Sequence, residues 1–171
     1  MRFFTGFLAY LASTTMIVVS FLPIITFAAE IDKYDSPRDV PRIIYSDGNG
    51  NERVLDFSKN RLTALHFWAT WCKPCIEELP QVDRIQQIYA SRGFKVVPLS
   101  MDKNIDVVWK FYQDKNIDNL DMILDSNSMF YWFNRNYKIA GVPTTIFINS
   151  EGKATHVSDG ALDWEGVEAI S

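Results

Sequence analysis

Cys72 and Cys75 are the whole thiol complement of this 171-residue chain, and they stand three apart in W-C-K-P-C. A disulfide between them closes too short a loop to constrain the unfolded chain, so stability is a poor reason for the pair. Metal binding and redox exchange remain. Structural zinc needs about four ligands. The chain offers two thiols and two histidines, His66 and His156, at spacings unlike a zinc finger, so no metal site is expected. A transient Cu(I) site stays open, because soft thiolates suit that ion. Redox exchange needs one reachable thiolate and a second thiol behind it. If a strand runs into the motif and Cys72 opens a helix, its sulfur meets unpaired backbone N–H groups and the positive end of the helix dipole. Such positions lower a cysteine pKa from about 8.5 to roughly 3.5–7.5. Lys73 adds positive charge and Pro74 stiffens the turn. Cys75, a turn later, faces inward. Cys72 is then the attacking thiolate and Cys75 the resolving one.

The elements needed to hold this site are legible on both sides of it. L-T-A-L-H-F-W at 62–68 is a near-continuous apolar run, suited to a buried central strand. Ile76, Leu79, Val82, Ile85 and Ile88 recur at helical spacing up to Arg92-Gly93. Pro80 inside that helix predicts a kink, since it cannot donate to the Ile76 carbonyl. P-R-I-I-Y, S-D-G-N-G-N and E-R-V-L-D-F read as a β-hairpin. Strands are expected at Phe94–Ser100, Leu120–Leu124, G-V-P-T-T-I-F-I-N and A-T-H-V. Helices are expected over 104–116, with Val107, Val108, Phe111 and Tyr112 on one face, over Ser128–Tyr137, and over 162–170. Residues 30–40 read as a polar linker. Alternating strands and helices give an α/β fold: a mixed sheet flanked by helices, within 41–171.

Composition sets the outer limits. At 47% hydrophobic and 22% charged, the chain can bury one core without staples. A net charge of −4 and the lack of a basic stripe argue against nucleic acid as a partner. M-F-Y-W-F-N-R-N-Y, with Arg135 and Lys138, is read as core plus a solvated helix face. Phe3–Ala29 holds no charged residue. As a helix it would reach roughly 40 Å, enough to cross a hydrocarbon core of about 30 Å. Residues 1–29 are therefore a signal peptide, cleaved at T-F-A before A-E, or a retained anchor. Either places the remainder outside the cytoplasm.

F-W-A-T-W-C-K-P-C-I-E-E-L-P, followed about 66 residues later by G-V-P-T-T-I-F-I-N-S-E-G-K, resembles the thioredoxin superfamily. It is most similar to its TlpA/ResA-like extracytoplasmic thiol–disulfide oxidoreductases. The resemblance covers about residues 40–171 and implies a thioredoxin fold with an N-terminal β-hairpin and a central βα insertion near 102–127. It makes Cys72 the nucleophile and Cys75 its partner, a redox-active disulfide with no other cofactor. It makes Pro143 a cis-proline facing them, and Val142 a backbone partner for an extended substrate segment. It places Glu78 near the active site, against the plainer reading of a first-turn acid favouring the dipole. It departs at His66: thioredoxin has a buried aspartate six before the nucleophile and many relatives asparagine. His66 is read as a proton acceptor below Cys75 or as a backbone-bonded core histidine. Trp71 lines the substrate surface, Trp68 packs in the core, and His156, without a partner, sits on an edge strand.

The function expected is exchange with extracytoplasmic (bacterial periplasmic) proteins that carry cysteine pairs. Reduction is the direction the resemblance implies, as in cytochrome c maturation, with a membrane electron donor of CcdA/DsbD type. The alternatives are a disulfide-forming oxidase, and a copper chaperone or thiol reductant serving a copper centre in a cytochrome oxidase. A redox-inactive module fits poorly because both cysteines and Pro143 are present. A peroxidase fits poorly because Thr70 is not three before Cys72.

Overall fold

The apolar run at 62–68 and the alternation that follows it fold as the sequence leads one to expect. The computed structural model describes residues 29–165 and 167. An eight-stranded mixed sheet runs in the order β1-β8-β7-β4-β5-β6-β2-β3. Its strands are β1 (Asp32–Asp39), β2 (Ile44–Asp47), β3 (Glu52–Val54), β4 (Leu62–Trp68), β5 (Phe94–Ser100), β6 (Ile123–Leu124), β7 (Thr144–Asn149) and β8 (Lys153–Asp159). Its helices are α1 (Lys73–Tyr89), α2 (Ile105–Lys115) and α3 (Met129–Tyr137). The parallel β4–β5 and β5–β6 pairs are connected through α1 and α2. β7 returns antiparallel on the other side of β4.

Every residue of β4 is buried, because helices cover both faces of the sheet. The strand's period of two sorts its side chains. Leu62, Ala64 and Trp68 join one core with Cys75, Leu79 and Val82 of α1 and with Val108 and Tyr112 of α2. Leu65 and Phe67 join the other, with Phe130, Phe133 and Tyr137 of α3. His66, in step with Ala64 and Trp68, therefore points to the α1 side.

The inserted α2 and β6 extend the sheet beyond β5, and the β2–β3 hairpin pairs onto β6. The hairpin turn is held by Asp47, whose carboxylate accepts from Asn49 N, Asn51 N and Arg53 Nε.

Several expectations are corrected. Residues 32–39 are not a linker: they form β1, antiparallel to β8. Nearly all their side chains are exposed, so the backbone ladder, not apolar burial, holds the strand and composition gives no sign of it. The register shifts between Lys33 and Arg38, around Pro37, which has no N–H to give. Tyr34 anchors the strand edge-on to Tyr137, with the Arg38 guanidinium 4.2 Å from its ring centroid. β8 is consequently interior, so His156 is not on an edge strand, and its Nδ1 lies 2.9 Å from Thr155 Oγ1. Val107 and Ile88 are exposed, so the buried stripes of α2 and α1 are narrower than the apolar pattern. Pro80 lies inside α1, as expected, on its exposed side. The strand expected at Leu120–Leu124 is only two residues long.

The apolar segment 3–28 lies outside the described residues, as do residues 166 and 168–170 of the helix expected over 162–170. Among the described residues no helix is long and apolar enough to cross a membrane.

Candidate active site

β4 ends at Trp68, and the chain turns through Ala69–Trp71 to start α1. Cys72 is the N-cap of that helix, with extended backbone (φ −92°, ψ 107°), and its Sγ accepts the Cys75 N–H at 3.3 Å. The helix start expected from the sequence is thus present: the sulfur takes up an N–H that has no partner within the helix, at the positive end of a 17-residue helix. Cys72 and Cys75 form a disulfide, with Cα atoms 5.3 Å apart. Cys72 keeps 6% of its surface exposed and Cys75 none, so an incoming sulfur can reach only Cys72. Pro74 occupies the first turn of α1, where no N–H partner is needed.

The second strand of the site comes from across the sheet. The Val142–Pro143 peptide bond is cis. The Val142 carbonyl oxygen lies 3.5 Å from Cys72 Sγ, so the two motifs meet although 70 residues separate them. Asp159 fastens this loop: its carboxylate accepts from Ala140 N at 2.9 Å and from Thr144 Oγ1 at 2.8 Å. Trp71 stands beside the disulfide, 66% exposed, as a substrate-facing ring would. Lys73 is exposed, with its Nζ 3.8 Å from an also exposed Glu77 on the next turn, so solvent screens its charge.

Asp102 was not anticipated. Its carboxylate accepts from Thr70 N at 2.9 Å, Thr70 Oγ1 at 2.8 Å and Ser100 Oγ at 2.8 Å, tying the approach to Cys72 to the end of β5. The only sequence hint was an acid just past the carboxyl end of the strand expected at Phe94–Ser100, where sites in α/β sheets gather. A depression of about 340 Å³ opens beside it, lined in part by Met101, Leu124, Ser126 and Tyr131. The larger concavity, about 580 Å³ between the β2–β3 turn and α2, includes neither cysteine.

One turn along α1 from Cys75 lies a buried polar cluster. Glu78 is not an ordinary first-turn surface acid: it is 5% exposed, and its Oε2 accepts from Leu162 N at 2.9 Å and Trp164 Nε1 at 3.2 Å. Its Oε1 lies 3.5 Å from His66 Nε2. His66 is fully buried, with Nδ1 3.0 Å from Thr145 Oγ1 and its ring edge-on to Trp164. It is therefore not a backbone-bonded histidine, and its partners are side chains of α1 and β7. Burial dominates both titrations, outweighing the two hydrogen bonds to Glu78. It pushes Glu78 up to about 7 and pulls His66 down to about 3. Trp164, Leu162 and Thr145 carried no sequence signal, because each meets the cluster from 79 to 86 residues away. Among the described residues no group of His, Cys, Asp and Glu is arranged to hold a metal.

A reachable sulfur capping a helix, its partner sealed behind it and a cis-proline loop opposite define a thiol–disulfide oxidoreductase of the thioredoxin fold. The chain belongs to the Redoxin family, which matches residues 37–170. The thiol-disulfide oxidoreductase ResA of Bacillus subtilis is 29% identical over 124 residues, which are 72% of this chain and 67% of the relative. The crystal structure of StoA from Bacillus subtilis superposes with a TM-score of 0.60 at 25% identity, over 75% of this chain and 95% of that one. A thioredoxin-family thiol:disulfide interchange protein from Chlorobium tepidum shares the fold, with a TM-score of 0.65 at 24% identity over 80% and 95% of the two chains.

Proposed function

We propose that this chain reduces disulfides of proteins outside the cytoplasm, in the manner of cytochrome c maturation, where a cysteine pair must be reduced before haem attachment. Cys72 thiolate attacks one sulfur of the substrate disulfide, whose S–S bond breaks and whose second sulfur leaves as a thiolate. Cys75 gives up its proton and attacks Cys72 Sγ in the mixed disulfide. The Cys72–Cys75 bond forms and the remaining substrate sulfur departs. Two electrons pass to the substrate, and its two thiolates take up two protons. Glu78, one turn along α1 from Cys75, is the acceptor for the Cys75 proton. The backbone at Val142 and the ring of Trp71 receive the substrate segment. A membrane dithiol donor of CcdA/DsbD type restores the reduced pair, and the apolar segment 3–29 brings the domain to the membrane as an anchor or directs its export.

The observation that carries this reading is the pairing of a helix-capping Cys72, which keeps a little of its surface open, with a fully sealed Cys75 one turn from a buried acid on the same helix. A thiolate stabilised by Lys73 would favour an oxidase, but the Lys73 side chain is largely exposed and its charge is screened by solvent. The test is the reduction potential of the Cys72–Cys75 pair. Thioredoxin lies at about −270 mV and the oxidant DsbA at about −120 mV. A value near the former supports electron delivery. A value near the latter makes the chain an oxidase and overturns the reading. Copper titration of the reduced chain checks the copper alternative: tight, stoichiometric Cu(I) binding that Cys75→Ser abolishes would favour it.

A further inference from the structure

Glu78 Oε1 and His66 Nε2 are both buried, and neither has a hydrogen-bond partner elsewhere. They face each other at 3.5 Å, slightly beyond a formed hydrogen bond. Glu78 Oε2 is committed to two N–H donors, so when the carboxyl is protonated its hydrogen belongs on Oε1, towards His66. On the far side of the ring, Nδ1 meets the hydroxyl of Thr145, which can donate or accept by rotating. We propose that His66 is a positioning residue that serves both charge states of Glu78 by changing tautomer. Its Nε2 accepts from the protonated carboxyl while Nδ1–H donates to Thr145. Its Nε2–H donates to the carboxylate while the Thr145 hydroxyl donates to Nδ1.

The protons balance. The ionised arrangement carries one proton on the pair, at Nε2. The neutral arrangement carries two, at Oε1 and Nδ1, with the Thr145 hydroxyl intact in both. The single added proton comes from the Cys75 thiol during turnover, or from solvent in the resting protein. A partner of fixed polarity would satisfy one state and leave the other with an unpaired buried atom, at the cost such atoms carry. The surroundings leave this exchange to the pair itself. One turn back along α1 from Glu78, Cys75 does not titrate while in the disulfide. From β7 the cluster is faced by Thr145, from β5 by Pro98 in register with His66, and from the C-terminal segment by Trp164. Asp83 and Gln86, further along α1, are bonded instead to Asn119 and to the Phe94–Val96 backbone.

The inference holds for either direction of electron flow, so its test reads the resting disulfide. The full chain, labelled with ¹⁵N-histidine, is oxidised and followed by NMR from about two units below to about two units above pH 7. There are two histidines, and His156→Gln assigns the signals. The expected result is that the bare and protonated nitrogens of His66 exchange places in one step as Glu78 titrates, with no imidazolium formed. In Glu78→Gln the tautomer is expected to stay fixed across the range. A His66 tautomer that does not change with pH in the native protein, or a change that persists in Glu78→Gln, overturns the proposal. In His66→Leu the carboxylate loses its donor, and the pH–rate profile for Cys75 is expected to move to alkaline pH by about one unit. A profile that does not move also overturns it.

Discussion

Glu78→Gln isolates what burial does to this carboxyl. The glutamine oxygen can still accept from Leu162 N and Trp164 Nε1, and its amide can donate to His66 Nε2, so the variant mimics the protonated acid. Glu78 is raised from 4.5 to about 7 in the folded protein. A raised acid contributes stability that is complete below its unfolded pKa and lost as pH climbs through its folded pKa. Between pH 4.5 and about 7 the folded protein holds a proton that the unfolded chain has released. At 1.36 kcal/mol per unit, the loss is about 3 kcal/mol. His66 acts oppositely. Its pKa is lowered from 6.5 to about 3, so its contribution is complete above 6.5 and lost as pH falls. The native protein is consequently flat over much of the shared window, while Glu78→Gln gains stability as pH rises. The assay is urea unfolding of the oxidised native and variant proteins across that window. The two should agree near pH 4.5 and separate by about 3 kcal/mol above pH 7, roughly 1–2 M in midpoint at a typical slope. A difference independent of pH would show that Glu78 is not held neutral by burial, and the account of the buried cluster would fail.

Cys75→Ser should accumulate a mixed disulfide between Cys72 and a disulfide-bearing protein, visible on non-reducing gels, whereas Cys72→Ser should form none. Asp102→Ala frees the Thr70 backbone and hydroxyl. It should cost about 2 kcal/mol in denaturation and slow exchange at Cys72 without moving the pH dependence of the Cys75 step. Lys73→Met removes an exposed, solvent-screened charge. It should change the reduction potential by less than about 20 mV; a larger shift would show that Lys73 sets the Cys72 thiolate.

The sequence by itself determined the redox pair, the strand before it, the helix after it and the hairpin. Each is written in local spacing: two thiols three apart, a seven-residue apolar run, apolar positions a helical turn apart. It also placed Glu78, His66 and Pro143 among the residues to watch. Local spacing reaches only as far as one element. β1 was invisible because its exposed polar side chains give no pattern, and its ladder exists only once β8 is in place to pair with it. Asp102 is one acid among many until the end of β5 is brought beside Thr70. His66 could be read as one member of a strand. Its face follows from the strand's period, but its meeting with Glu78, Thr145 and Trp164 requires the α1 side of the sheet to close over it. The cysteine spacing therefore decided the chemistry. Packing decided how the proton is handled, because removal from water is what sets both pKa values.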